Sequence, residues 1–164
     1  MGGRITNSDK QLRPDPHYQD KVLAKFINCV MHDGKKAVAQ RLVYSALDQI
    51  QAKLDKDKSD ELPKTAIDLF RKAVDNVRPA VEVRSRRVGG ANYQVPMAVS
   101  NRRRQSLAFR WILQATRAES GKPMSLRLAR ELHDAARGEG KAMETRTNTH
   151  RMAEANRAFA HFAW

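Results

Sequence analysis

Apolar residues recur with the spacing of an α-helix in six stretches of this sequence, and they alternate with polar residues in one more. A repeat near 3.6 residues is typical of the buried stripe of a helix, whereas alternation is typical of a strand with one buried face. The pattern predicts helices from about residue 20 to the turn at Asp33-Gly34, at roughly 36–54, from Pro63 to Pro79, from within 101–105 onwards, from Pro123 to Gly138, and from about Thr145 towards the carboxyl end.

The alternating stretch between the third and fourth predicted helices indicates a β-hairpin that turns at a glycine pair. A two-residue turn would place Arg84 opposite Val95 and mix apolar with charged residues on each face. A three-residue loop, Gly89-Gly90-Ala91, keeps the faces apart. We therefore expect the longer loop, with Val83 paired with Met97, Val81 paired with Val99, and Glu82, Arg84 and Arg86 on the opposite face.

A two-stranded ribbon buries too little apolar surface to be stable alone, so this hairpin needs helices behind it. The prediction is a mainly α fold, a six-helix bundle with one protruding two-stranded antiparallel β-hairpin arm between helices 3 and 4. At 164 residues the chain is long enough for one core. The single cysteine, Cys29, excludes an internal disulfide, and its apolar neighbours favour a packing role.

Positive charge is concentrated in the second half of the chain. Residues 1–77 hold 14 Lys and Arg against 11 Asp and Glu, whereas residues 78–164 hold 17 against 7. All but two of those 17 are arginines, whose planar guanidinium can chelate phosphate and stack on bases. One face of the arm, with Arg87 near its tip, is therefore expected to meet a polyanion, and the arginine bias favours structured RNA.

The sequence contains no pattern typical of a catalytic or metal site. The histidines lack metal-ligand spacing, no phosphate-cradling glycine loop is present, and the basic half of the chain is poor in the clustered carboxylates that a metal nuclease would need. No apolar run approaches the roughly 18 residues of a membrane span. We expect no enzymatic activity, cofactor, small-molecule substrate or membrane association. Two alternatives stay open: an architectural nucleic-acid-binding protein with a β-arm, and an RNA-modifying enzyme.

Four motifs follow one another along the chain. They are Asp20-x-Val22-(x)3-Phe26-Ile27-(x)6-Gly34-Lys35-Lys36-(x)5-Leu42-Val43-x-x-Ala46, then Val77-Arg78-Pro79 through Val95-Pro96, then Arg110-Trp111-Ile112, and finally His150-Arg151-Met152-Ala153-Glu154-Ala155-Asn156. From about Leu12 to Trp164 the chain thereby resembles the bacterial-type family of small-ribosomal-subunit protein seven.

The resemblance implies the same six helices and arm, and it adds a function. Relatives of this kind are primary binding proteins for the 3′ major domain of 16S rRNA, and they nucleate assembly of the subunit head. The arm and last helix are expected to border the exit-site tRNA, beside small-subunit proteins nine and eleven, on a cytoplasmic ribosome. We expect residues 1–19 to form a flexible basic tail and residues 20–164 one helical RNA-binding domain, with the arm at about 80–99.

The charge pattern of the chain and its resemblance to the family together identify the candidate site residues. The expected rRNA-binding residues are Lys10, Arg13, Lys35, Lys36, Arg78, Arg84, Arg86, Arg87, Arg102, Arg103, Arg104, Arg110 and Arg117. Three of the arginines, at 103, 110 and 117, recur every seven residues and so share one face of the fourth helix. The residues expected near tRNA are Arg87, Gly89, Gly90, His150 and Arg151.

Overall fold

The computed structural model describes residues 11–56 and 63–162. Within these ranges the chain forms six α-helices, one antiparallel hairpin and a short 3-10 helix near the carboxyl end. In order, the elements are α1 Lys21–Val30, α2 Lys36–Leu54, α3 Ala66–Val77, β1 Val81–Val88, β2 Ala91–Ala98, α4 Asn101–Ala118, α5 Met124–Arg137, α6 Lys141–Ala155 and the 3-10 helix Arg157–Phe162. The predicted fold class, six helices with a hairpin between the third and fourth, is confirmed.

The core is formed by the apolar stripes of the helices, and α5 packs against α2, α3 and α4. Three buried phenylalanines join α1 to α3 and α4. The ring of Phe26 on α1 has its centroid 5.3 Å from that of Phe70 on α3 and 5.2 Å from that of Phe109 on α4. Because α3 and α4 flank the hairpin along the chain, this packing holds the root of the arm on the bundle.

The ends of α1 are set by a side-chain cap and a turn. Asp20 Oδ1 accepts a hydrogen bond from the Leu23 N–H at 2.8 Å, which satisfies a first-turn donor. The helix ends at Val30 rather than at the predicted Asp33-Gly34. The reason is that Met31 leaves the helical conformation, with ψ of 135°, and Asp33 and Gly34 then form a separate turn before α2 with positive φ values of 51° and 72°.

The start of α3 also differs from the sequence prediction, whereas the end of α5 agrees with it. Pro63 was expected in the first helical turn, but the helix begins at Ala66, because Thr65 Oγ1 accepts from the Asp68 N–H at 3.2 Å and acts as the cap. Gly138 ends α5 in the left-handed conformation, with φ of 84°, as glycine at this position predicts.

The last helix begins earlier than predicted because a neighbouring helix caps it. It starts at Lys141 rather than near Thr145, and the buried Glu131 Oε1 on α5 accepts the Ala142 N–H at 2.8 Å. Burial raises the pKa of the Glu131 carboxyl, although this hydrogen bond opposes the shift. Local patterning cannot reveal such a cap. The predicted helical position Phe159 lies instead in the 3-10 helix.

The arm turns on two residues, Gly89 and Gly90, and the predicted three-residue loop is wrong. Val88 pairs directly with Ala91. The φ values of Gly89 and Gly90 are 57° and 88°, and positive φ at both central positions is the geometry of a two-residue turn whose twist matches that of the flanking strands. Turn geometry, and not the separation of apolar from charged faces, therefore sets the register.

The shorter turn shifts every pairing by one residue. The predicted pairs Val83–Met97 and Val81–Val99 are replaced by Val83–Pro96 and Val81–Ala98. Arg84 and Arg86 consequently share a face with the buried Val95 and with Tyr93. This mixed face is physically acceptable because an arginine can lay its aliphatic stem along apolar neighbours and keep its charged end at the edge.

The segment before α1 is fixed to the bundle by one buried carboxylate. Asp15 Oδ2 accepts the backbone N–H groups of His17 and Tyr18, both at 3.1 Å, and its Oδ1 accepts the Tyr44 hydroxyl of α2 at 2.7 Å. Burial, followed by the hydrogen bond to Asp15, raises the pKa of Tyr44 to about 12, so the hydroxyl remains a donor. The division into a tail at 1–19 and a domain at 20–164 stays a prediction.

Candidate nucleic-acid interface

The acid of the arm, Glu82, is shared between two arginines. Its Oε1 lies 2.5 Å from Arg84 Nη2, and its Oε2 lies 3.2 Å from Arg103 Nε on α4. The side chain of Glu82 is only 12% exposed, whereas those of Arg84 and Arg103 are 54% and 38% exposed. One carboxylate cannot neutralise two guanidinium groups, so this part of the arm keeps a net positive charge that solvent or a ligand can reach.

One face of the arm packs against the 3-10 helix through aromatic rings. The Tyr93 ring on β2 lies 5.1 Å from Phe159 and 5.2 Å from Phe162, measured between centroids. On the same face, Arg86 Nη1 donates to the Phe162 carbonyl oxygen at 3.4 Å. Arg86 was expected to face RNA, but in the structure its guanidinium also fixes the arm to the carboxyl-terminal segment. Arg87, Gly89 and Gly90 are exposed at the tip.

Replacing Phe159 and Phe162 together by alanine is expected to loosen the arm. Aromatic pairs of this kind contribute about 0.5–1.5 kcal/mol each beyond buried area, so amide hydrogen exchange in β1 and β2 should quicken by roughly tenfold. Exchange in the core helix α5 should change much less. Met152→Ala serves as the control, because Met152 is 53% exposed. If the amides of β1 and β2 exchange at the same rate in the double variant as in the unmodified protein, the rings do not hold the arm.

The root of the arm is held by His150 of α6. His150 Nε2 accepts a hydrogen bond from the Ala80 N–H at 3.2 Å, which requires an unprotonated Nε2. Burial, and then the charge of Arg146, lower the pKa of His150 below its ordinary 6.5. The sequence placed His150 and Arg151 near tRNA. The structure gives His150 a contact within the protein, and Arg151 is exposed on the same helix.

This contact predicts a pH-dependent stability. The folded state disfavours the charged imidazole. The contribution of His150 to the free energy of unfolding is therefore complete above pH 6.5, and it falls as the pH drops below 6.5 through the lowered pKa of His150. The expected loss is less than about 1 kcal/mol, because the side chain is partly exposed. His150→Gln keeps an acceptor that cannot titrate and should flatten this part of the pH profile, measured by denaturant unfolding, whereas His161→Gln at an exposed position should not. An unchanged profile for His150→Gln would contradict this role.

A cleft of about 710 Å³ opens where the arm leaves the bundle, and we call it the basal cleft. It is lined by the start of α1, the end of α3, the first residues of the arm, the start of α4 and one residue of α6. Of the described residues that line it, six are cationic and one, Asp75, is acidic; the cations are Lys21, Lys25, Arg78, Arg102, Arg104 and Arg146. The cleft is therefore suited to bind a polyanion.

The structure brings some predicted residues together in this cleft and adds others. Arg78, Arg102 and Arg104 were predicted, whereas Lys21, Lys25 and Arg146 were missed. Lys21 and Lys25 lie four residues apart on α1, a spacing that places them on one helix face, and this signal was present in the sequence. Arg146 reaches the cleft only through tertiary packing of α6 and could not have been found from local pattern.

Two of the predicted cleft arginines also hold neighbouring structure. Arg78 Nη1 lies 2.6 Å from the Asp75 carboxylate, and Arg104 Nε donates to the Val99 carbonyl oxygen at 2.9 Å. Each guanidinium has further N–H groups, since arginine carries five donors in a fixed fork. These contacts therefore orient the two side chains at the rim of the cleft.

A second basic row follows the exposed side of α4. Arg110 and Arg117 are exposed and line a groove between α4 and α1, and Arg117 Nη2 donates to the Val30 carbonyl oxygen at 3.5 Å. Cys29 lies in the same groove and is exposed, so its expected packing role is wrong. Desolvation nevertheless raises the pKa of the Cys29 thiol, which disfavours the nucleophilic thiolate.

The remaining predicted cations form a third group at the start of α2. Lys35 and Lys36 are exposed beside the turn at Gly34, and Arg13 lines with Lys36 a second cleft of about 600 Å³. Lys10 lies outside the described residues. The predicted rRNA-binding residues thus fall into the arm, the basal cleft, the α4 row and this α2 group.

The described residues, 11–56 and 63–162, offer neither a metal site nor a membrane-spanning helix. Among those residues, no cluster of three or more His, Cys, Asp or Glu side chains could hold a metal ion. Across the same residues, no helix combines the length and the apolar character needed to span a bilayer.

Comparison with known proteins gives this basic surface a context. A family model described as ribosomal protein S7p/S5e matches residues 3–157. The chain belongs to the ribosomal protein S7p/S5e family. Similar curated proteins, each named small ribosomal subunit protein uS7, come from Rhodopirellula baltica (54% identical over 162 residues, 99% of both chains), Bordetella pertussis (53% over 155 residues, 94% of both) and Methylobacterium nodulans (50% over 164 residues, 100% of both).

Membership of the S7p/S5e family decides between the alternatives that the sequence left open. The predicted resemblance is confirmed across nearly the whole chain. The chain is a structural ribosomal protein of the small subunit and not an enzyme, so the RNA-modifying reading is wrong. Binding of rRNA is general to this family.

Proposed function

We propose that this chain binds the 3′ major domain of 16S rRNA directly and nucleates assembly of the subunit head. The observation that carries the proposal is the basal cleft. Six cations meet there at the root of the arm, from α1, α4, α6 and the residue that follows α3, with one acid among the described lining residues. Such a concentration of positive charge is costly to assemble without a polyanion and is typical of an RNA-binding surface. Family membership supports ribosomal RNA as that polyanion.

Each basic group has a distinct role in this proposal. The basal cleft and the α4 row contact the main RNA helices, while Arg84 and Arg87 of the arm reach further RNA. Arg86 acts partly by fixing the arm, since its guanidinium contacts the Phe162 carbonyl oxygen. Arg13, Lys35 and Lys36 bind RNA on the α2 side, and Lys10 is a further proposed RNA contact. Specificity comes from fitting a junction of RNA helices, because the major groove of A-form RNA hides its base edges.

The exposed tip of the arm and α6 supply the second part of the proposal. Arg87, Gly89, Gly90 and Arg151 lie at exposed positions, and we place them beside the exit-site tRNA, next to small-subunit proteins nine and eleven. Compact glycines at the tip allow close approach of an RNA backbone. His150 acts here by holding the root of the arm through Ala80.

Sedimentation and salt titration test the proposed function. The tagged chain should co-sediment with the small subunit and stay bound through a salt wash. With about six phosphate contacts, the logarithm of its affinity for a 3′ major domain fragment should fall with the logarithm of salt at a slope near −5, or roughly three decades between 50 and 200 mM. Duplex DNA of equal length is the competitor control. Release from the subunit at low salt, or equal affinity for the DNA, would refute the proposal.

A further inference from the structure

The basal cleft is concave and partly apolar, and it holds six cations, whereas the second cleft and the groove on α4 hold two each. Its cations are accompanied by Leu12, Val22 and Pro79, which form an aliphatic wall. A flat basic face suits the phosphates along the outside of a duplex. A recess with cations beside an aliphatic wall instead suits a ligand that carries an anion and an apolar body together.

The size of the cleft excludes a duplex from its interior. A volume of about 710 Å³ can admit one or two nucleotides, whereas an RNA double helix is far wider than such a recess. An unstacked nucleotide offers both of the required features, since its base has an apolar face and its phosphate is anionic.

The start of α4 provides donors for that phosphate. Ser100 is the N-cap residue, but its side chain makes no capping hydrogen bond, so first-turn N–H groups and the positive end of the helix dipole are left for another acceptor. Asn101 and Arg102, the first residues of the helix, line the cleft. The anion-binding end of a helix and a cationic side chain therefore meet at one point of the wall.

The geometry points to a single unstacked RNA nucleotide as the ligand of the basal cleft, with its phosphate at the start of α4 and its base against the Leu12 and Val22 wall. This inference rests on the proposed rRNA binding and sharpens it. The arm and the α4 row hold the neighbouring RNA, and the cleft selects a site at which one nucleotide leaves the stack. A bulged nucleotide is favoured over a paired one because less unstacking free energy is required.

The test uses two RNA hairpins that differ only in one bulged 2-aminopurine nucleotide, with the full chain as the binding protein. The hairpin with the bulge should bind roughly tenfold more tightly, because the base leaves water when it lies against the aliphatic wall. The fluorescence of the 2-aminopurine should also change on binding, because the base enters the cleft. Equal affinity for the two hairpins, or unchanged fluorescence on saturation, would overturn the inference.

A matched pair of variants tests whether the preference for the bulged hairpin arises in the basal cleft. Leu12→Ser removes part of the aliphatic wall without touching a cation, and Leu12 is not part of the core cluster, so folding should be retained. It should abolish the preference for the bulge and leave the salt dependence unchanged. Leu126→Ser, at a position that is 46% exposed on α5, should keep the preference.

The variants also separate this inference from the proposed function. A preference that survives in Leu12→Ser would contradict the assigned cleft. If the 3′ major domain fragment is bound with the expected salt slope but the bulge has no effect, only the nucleotide inference fails. If that fragment is not bound either, the proposed function fails.

Discussion

Replacing Lys21, Lys25 and Arg102 together by alanine is expected to lower the affinity for a 3′ major domain RNA fragment by about two orders of magnitude at moderate salt. The three side chains line the basal cleft, and each lost charge-assisted contact to phosphate costs on the order of 1 kcal/mol. The slope of log affinity against log salt should also become shallower by about 2 to 3, because fewer counterions are released. Filter binding at several salt concentrations measures both quantities.

The control for this variant removes the same charge from another surface. Lys53 and Lys56 lie at the end of α2, Lys64 lies just before α3, and all three are exposed. Alanine at these three positions should leave the salt slope close to that of the unmodified protein. Equal losses in the two triple variants would mean that net charge alone governs binding, and the basal cleft would have no special role.

Replacing Asp20 by alanine is expected to destabilise the fold by about 2–3 kcal/mol, from the lost helix cap and the lost ion pair. Asp20 Oδ1 caps α1, and its Oδ2 accepts from Arg71 Nε at 2.8 Å and Nη2 at 2.6 Å, which ties α1 to α3. The loss is no larger because the Arg71 side chain is 52% exposed and can be solvated once its partner is gone. Urea unfolding followed by circular dichroism measures the change.

The acid dependence of stability gives a second readout for Asp20. Burial alone would raise the pKa of its carboxyl, but the Leu23 N–H and the Arg71 guanidinium outweigh burial and lower the pKa below 3.8. The contribution of Asp20 to the free energy of unfolding is therefore complete above pH 3.8 and is lost as the pH falls through the lowered pKa.

Two further variants are the controls. Asp20→Asn keeps a cap and should cost less stability than Asp20→Ala. Glu154→Ala breaks an exposed pair with Arg157 and should cost under about 1 kcal/mol. Similar losses for Asp20→Ala and Glu154→Ala would contradict the assigned role.

The sequence predicted the helices well where the apolar stripe and the breakers agreed. The bounds predicted for α2 match those observed, and Gly138 ends α5 as expected. The start of α6 was missed because its cap is Glu131 of another helix. The predicted hairpin register was wrong because it assumed one wholly apolar face. Two glycines with positive φ instead favour a two-residue turn, and the buried Val95 then shares its face with Arg84 and Arg86.

The residue types of the candidate site could be predicted from the sequence, but their arrangement in three dimensions could not. The arginine-rich run identified the arm and the start of α4, and these residues do lie together. The basal cleft combines segments that are far apart in sequence, from Leu12 to Arg146, so its concavity appears only in three dimensions. The double role of Arg86, which fixes the arm through the Phe162 carbonyl, depends on the packing of the carboxyl-terminal segment in the same way.

The central claim is that the basal cleft and the arm face ribosomal RNA. A cryo-EM map of the small subunit with this chain bound tests it most directly. We expect RNA backbone density within hydrogen-bond reach of Arg102 and the start of α4, with 16S rRNA along the arm. A map in which the cleft faces solvent or another protein, with no RNA near these groups, would contradict it.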